Sequence, residues 1–131
     1  MSPLDSVTIT AADFPAALTF YDAALGALGL ARVAELVDEE EDDAEVEAVA
    51  WGRPDGNGIL WLVRGAGATA GLHLRFEAGS RAQVETFHDA ALRAGGAEYA
   101  APRRWLLYRR GDFNAIVADP AGNLVEAVAP E

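Results

Sequence analysis

The chain contains a second copy of its own pattern, and this constrains the fold more than any other feature. At an offset of 67 residues (87 − 20), FYDAALGALG at Phe20–Gly29 lies over FHDAALRAGG at Phe87–Gly96. Phe, Asp, Ala, Ala, Leu, Ala and Gly recur in place. Without a gap, the alignment runs back through both helix caps into the strands before them. Val7 then falls on Leu74 and Ile9 on Phe76, while Ser6 falls on His73 and Thr8 on Arg75. Alanine-rich helices match one another by chance, so agreement of cap, helix and strand phase together is the stronger evidence.

The second copy opens on Gly71–Glu77, GLHLRFE. Apolar Leu72, Leu74 and Phe76 alternate with polar His73, Arg75 and Glu77, the period of a strand with two unlike faces. Ser80 caps the helix that follows, with Gln83 completing a capping box. Val84, Phe87, Ala91 and Ala94 form its apolar stripe, and Gly95-Gly96 ends it. Short strands are predicted at Glu98–Ala101 and Trp105–Arg109, around Pro102, and at Phe113–Ala118 and Leu124–Val128. The turn Asp119–Asn123, DPAGN, joins the last two.

The first copy reads the same way. Leu4–Thr10 is a predicted strand. Asp13 is an N-cap, and Pro15 sits in the first turn, where its missing N–H costs nothing. Ala17, Phe20, Tyr21, Ala24, Leu25 and Leu28 recur at helical spacing, so a helix runs to about Ala27, and Gly29 stops it. Strands follow at Ala31–Val37, Val46–Trp51 and Ile59–Arg64. An acidic run from Glu35 to Glu47, including DEEEDD, reads as the solvated turn between the first two. Gly65–Gly71, GAGATAG, is a small-residue connector. The fold class is α+β: one domain of two βαβββ units, at about 4–64 and 71–130, joined by residues 65–70. Either half alone is too small to hold a core easily.

Composition excludes several classes. At 131 residues and 51% hydrophobic, the chain is neither multidomain nor disordered. It has no cysteine, which removes disulfides, a thiol nucleophile and thiolate-bound zinc. MSPLDSVTIT has no basic or apolar leader character, and no apolar run reaches membrane-span length, so a cytoplasmic location is expected. A net charge of −11 argues against nucleic acid and anionic membranes. It serves solubility and favours a cationic ligand. No phosphate-binding loop or serine nucleophile elbow is present.

With the repeat in place, two stretches carry a family resemblance. FYDAALGALGL resembles the "FY…LG" signature of the vicinal oxygen chelate superfamily (glyoxalase I, extradiol dioxygenases, fosfomycin-resistance thiol transferases and bleomycin-resistance proteins). DPAGNLVEAV resembles that superfamily's ending. The resemblance covers nearly the whole chain. It implies a mixed sheet curled into a cup with two flanking helices, and paired units, from one chain or two, enclosing a cavity. Its metal-using members take ligands from the first strand, the strand opening the second unit and the last strand. Those positions here hold Ser6, His73 and Glu126, with an optional fourth at Trp61 or Leu60. His73 and Glu126 fit the pattern; Ser6 and the fourth position depart from it. Related small members carry Tyr-His-Pro where this chain has Tyr108, Arg109 and Arg110, a further departure.

The same residues have plainer readings. His73 can be a cavity-lining histidine bonded to Glu126, and Arg75, on the same strand face, is a suitable partner for a buried carboxylate. His88 reads as a packing residue. Trp51, Trp61 and Trp105 read as core, with Trp61 the one that suits a pocket wall. Tyr108 and Arg109 read as a charged hairpin end. Two function classes stay open. One is a metal-free binding protein resembling bleomycin-resistance proteins, a homodimer holding a cationic or aromatic small molecule among Ser6, Thr8, Trp61, His73, Arg75, Tyr108, Arg109 and Glu126. The other is a lyase, transferase or dioxygenase using a divalent metal on His73 and Glu126. A hydroxyl is a poor substitute for imidazole at a first-strand ligand position, so no cofactor is expected.

Overall fold

A computed structural model describes residues 4–37, 46–105 and 112–130. The chain folds as β1 (Val7–Ala11), α1 (Phe14–Gly26), β2 (Ala31–Val37), β3 (Val46–Gly52) and β4 (Gly58–Arg64), then β5 (His73–Glu77), α2 (Arg81–Arg93), β6 (Ala97–Trp105), β7 (Asp112–Ala118) and β8 (Leu124–Ala129). The α+β class and the tandem units are as the repeat requires. The curled sheet consists of two four-stranded mixed sheets, ordered β1-β4-β3-β2 and β5-β8-β7-β6. In each, the first strand of the unit pairs in parallel with the last, and the remaining pairs are antiparallel.

Local chemistry sets the helix ends. Asp13 accepts from the Ala16 amide at the start of α1, and Ser80 accepts from the Gln83 amide at the start of α2. The Gln83 side chain reaches one residue further back than a capping box requires, taking the Gly79 amide at 2.6 Å. The first strand is shorter than predicted, because its ladder with β4 begins at the Val7–Leu60 pair. A larger correction concerns Pro102. Ala97–Trp105 is one strand, not two short ones. It lies at the edge of its sheet, and its register shifts between Ala100 and Arg103. A proline is tolerated there because the ladder asks no N–H of it. Residues 106–109 of the predicted second strand lie outside the described residues, as do residues 38–45 of the acidic run.

One continuous core takes in both helices and one face of each sheet. Phe14, Phe20, Tyr21 and Leu25 of α1 join Val84, Phe87 and Ala91 of α2 over Trp51, Leu62, Val117 and Val125. Gly95 and Gly96 have separate tasks. Gly95 takes a φ of 100°, which closes α2. Gly96 is a close approach: a Cβ there would stand 2.5 Å from Val117 Cγ1 and 2.7 Å from Phe20 Cε1. The first helix therefore packs against the second unit directly over a residue with no side chain.

The signature residues of the first helix and last turn hold this arrangement together. The Tyr21 hydroxyl donates to Asp119 Oδ2 at 2.5 Å. Asp119 Oδ1 caps its own turn through the Ala121 and Asn123 amides. Asn123 donates to the Thr69 carbonyl and accepts from the Leu72 amide, and Thr69 bonds Thr10 of β1 through its hydroxyl and its backbone N–H. The connector is thus tied to both units. Burial, the bond to Asp119 and the Asp119 charge together push the Tyr21 phenol far above its ordinary range.

Candidate functional site

Glu126 is the centre of the site. Its position on β8 stands opposite Arg75 of β5 and Ile116 of β7, and cross-strand partners project from the same sheet face. His73 and Arg75 lie two apart on that face, as do Asn114 and Ile116. Glu126 as a whole residue is 3% exposed. Oε1 lies 2.7 Å from His73 Nε2. Oε2 accepts from Arg75 Nε at 3.1 Å and from Asn114 Nδ2 at 2.6 Å. A carboxylate this buried needs its charge met by donors, and here three side chains from two strands supply them.

The hydrogen-bond roles follow from the chemistry. An ionised carboxylate only accepts, so the Nε2 of His73 carries the proton facing Glu126. In the neutral ring Nδ1 then holds a lone pair, and it has no partner among the described residues. The His73 side chain is 43% exposed against 4% for Glu126, so the ring is anchored at Nε2 while much of it stays accessible. Asn114 is oriented by the same logic. Its Nδ2 faces the carboxylate, which leaves its Oδ1 buried and without a hydrogen-bond partner among the described residues.

A groove of about 400 Å³ runs past this cluster. His73, Arg75 and Phe76 form one wall, and Val7, Ile59 and Leu60 of the first unit form the other. Trp61 is not among the residues that wall it. The first unit's counterpart of the Glu126 position is nonetheless clear. Thr8 pairs with Trp61 as Arg75 pairs with Glu126, whereas Leu60 is 1% exposed within the core. Trp61 is half-buried and lies against Gly58, where a Cβ would stand 3.2 Å from its Nε1. Ser6, half-buried, precedes β1, and Thr8 is exposed. Tyr108 and Arg109 lie outside the described residues.

Other singled-out residues are accounted for by packing and pairing. His88 keeps 12% of its side chain exposed and bonds Glu98 at 2.6 Å. Trp51 is buried, with its indole N–H on Asp22. Asp22 also binds Arg32 through two bonds. Burial pushes the Asp22 carboxyl up, but the Arg32 and Trp51 hydrogen bonds and the Arg32 charge outweigh that and hold it below the usual carboxylate range. Asn114 is the site residue that sequence reasoning missed. The signal was present: a single amide side chain in FNAIVA, otherwise an apolar strand, needs a partner.

Comparison with known proteins agrees with this architecture. The model of the Glyoxalase/Bleomycin resistance protein/Dioxygenase superfamily matches residues 4–127. The chain belongs to that superfamily. Among solved structures it resembles a glyoxalase/bleomycin resistance protein from Albidiferax ferrireducens, with 26% identity, a TM-score of 0.76 and coverage of 99% of this chain and 100% of that one. It shares its fold with a glyoxalase-related enzyme from Fulvimarina pelagi (18% identity, TM-score 0.69, 98% and 88% covered). It shares it also with a lactoylglutathione lyase from Agrobacterium tumefaciens (22%, 0.65, 98% and 94%). No curated protein matches the chain. No helix among the described residues is long and apolar enough to cross a membrane.

The donor set fits a divalent ion poorly. The superfamily's positions hold one imidazole and one carboxylate, completed by a hydroxyl at Ser6 and an indole at Trp61. A guanidinium also sits on the other carboxylate oxygen, Oε2, at 3.1 Å, and like charges so close repel. Among the described residues no group of three His, Asp or Glu side chains converges.

Proposed function

We propose that this protein is a small-molecule-binding member of its superfamily that works without a metal ion. The observation that carries this reading is the occupation of Glu126. Both carboxylate oxygens are already engaged, by His73, Arg75 and Asn114. A metal held by His73 Nε2 and Glu126 Oε1 would have to break the bond that joins them, beside the Arg75 guanidinium on Oε2, with no third protein ligand among the described residues to repay the loss. The metal-dependent alternative on His73 and Glu126 is disfavoured for the same reason. Arg75 also offsets the charge of Glu126, so the floor of the site offers no spare carboxylate for a cationic ligand. The apolar walls favour a compact, largely hydrocarbon molecule.

The reading includes a homodimer, the usual assembly of the family. Leu36 and Tyr99, 56% and 65% exposed on the outer strands β2 and β6, are apolar surface suited to such a contact. Light scattering on the eluting protein tests that part, and a monomer would refute it. The metal-free part is tested by elemental analysis after expression with added nickel, zinc, manganese and iron. Less than a tenth of an equivalent per chain is expected, and one tightly held ion per chain would overturn the reading.

A further inference from the structure

The groove beside His73 sets one open hydrogen-bond acceptor and the Arg75 guanidinium among largely apolar side chains, and this defines a ligand class. We infer that the groove binds a neutral, hydroxyl-bearing molecule about the size of a substituted phenol, with its O–H donated to His73 Nδ1. The inference rests on the metal-free reading, because Nε2 must stay on Glu126 for Nδ1 to be the open acceptor.

Three observations carry it. First, His73 is held from behind. Its Nε2 is 2.7 Å from a carboxylate that is itself fixed by two further donors. The ring cannot rotate without losing that bond, so Nδ1 is held in one position and the acceptor is preorganised. Second, the His73 side chain is 43% exposed against 4% for Glu126, and Nδ1 has no partner among the described residues. Third, the facing wall of Val7, Ile59 and Leu60 offers hydrocarbon and no side-chain charge. An ammonium group would meet the Arg75 guanidinium. A carboxylate has no proton to donate and would face the lone pair of Nδ1. A neutral donor meets neither penalty, and about 400 Å³ is at the small end of ligand cavities.

The test uses four probes that differ in one group: 4-ethylphenol, 4-ethylanisole, 4-ethylbenzoate and 4-ethylbenzylammonium. At about pH 7.5 the phenol is neutral, since such hydroxyls ionise near 10. Binding is followed by calorimetry and by the imidazole ¹⁵N resonances of His73. The phenol is expected to bind about five- to tenfold tighter than the anisole, the equivalent of one hydrogen bond, and to move the Nδ1 resonance. His73→Phe should erase the phenol's preference over the anisole. That variant also takes a donor from Glu126, so Ile59→Trp provides a second check. It fills the groove from an exposed position and leaves the Glu126 donors in place, and should abolish binding of both probes. Equal binding of phenol and anisole, tighter binding of the benzoate or the ammonium, or unchanged binding in Ile59→Trp would each overturn the inference. Metal in the purified protein would instead overturn the proposed function, so the two failures are told apart by different measurements.

Discussion

Replacing Glu126 with glutamine keeps the shape of the buried side chain and removes its charge, and the structure dictates how the cluster must respond. The introduced amide has one carbonyl and one NH₂. Arg75 Nε and Asn114 Nδ2 both donate to the Oε2 side, so the carbonyl must face them. The NH₂ then faces His73 Nε2, which has to become an acceptor, and its proton moves to Nδ1. Three bonds to an anion become three between a neutral amide and its neighbours. A charge-assisted bond contributes about 1.5–3 kcal/mol and a neutral one about 0.5–1.5 kcal/mol. Asn114 is 1% exposed and loses the full difference. His73 and Arg75, with side chains 43% and 34% exposed, lose less because water screens them. Burying a neutral amide in place of an anion recovers part of the sum. The expected net loss is about 1–2 kcal/mol, which at this chain length lowers Tm by roughly 4–8 °C. Thermal unfolding measures the stability, and long-range ¹H–¹⁵N spectra of the imidazole ring report the tautomer. If His73 keeps its proton on Nε2 in the variant, the assigned hydrogen-bond roles are wrong. If Tm is unchanged as well, Glu126 is not the centre of the cluster.

Two further perturbations address the scaffold. Tyr21→Phe removes the hydroxyl that joins the first helix to Asp119 in the last turn. Asp119 keeps its bond from Asn123, so a loss of about 1.5–3 kcal/mol is expected from chemical denaturation; a loss below about 0.5 kcal/mol would mean that the contact does not couple the units. Asp22→Asn tests the pair with Arg32. The folded state holds the Asp22 carboxyl below its ordinary value of 3.8, so its stabilisation is present above that pH and is lost as pH falls through the lower folded value. Wild type should therefore exceed the variant in stability near neutrality, with the gap closing below about pH 3.8. A gap that widens on acidification would contradict that sign.

Much of the fold was legible in the sequence because its determinants are local or repeated. Cap residues Asp13 and Ser80, the glycines after each helix and the period-two strands act over a few residues, and the 67-residue offset showed that they occur twice in the same phase. Pro102 misled the reading because its tolerance depends on β6 being an edge strand, and edge position is set by pairing with β7, not by neighbours in the chain. The superfamily resemblance located His73 and Glu126, and the parallel phase of Ser6, Thr8, His73 and Arg75 placed Arg75 on their face. It left a choice between Trp61 and Leu60, which only the register of β1 against β4 resolves.

What the sequence alone determined was the class of fold, the two units and the position of one histidine and one carboxylate in the site. What the tertiary structure decided was the surroundings of that pair. Glu126 lies 12 residues beyond Asn114 and 51 and 53 beyond Arg75 and His73. Hydrogen bonds of 2.6–3.1 Å among such residues depend on sheet register and burial, and periodicity carries neither. The same two ligand-type residues would suit a metal if their remaining valences pointed at open space. Here the carboxylate is enclosed by three donors from two strands, an arrangement that only the pairing of β5, β8 and β7 brings together.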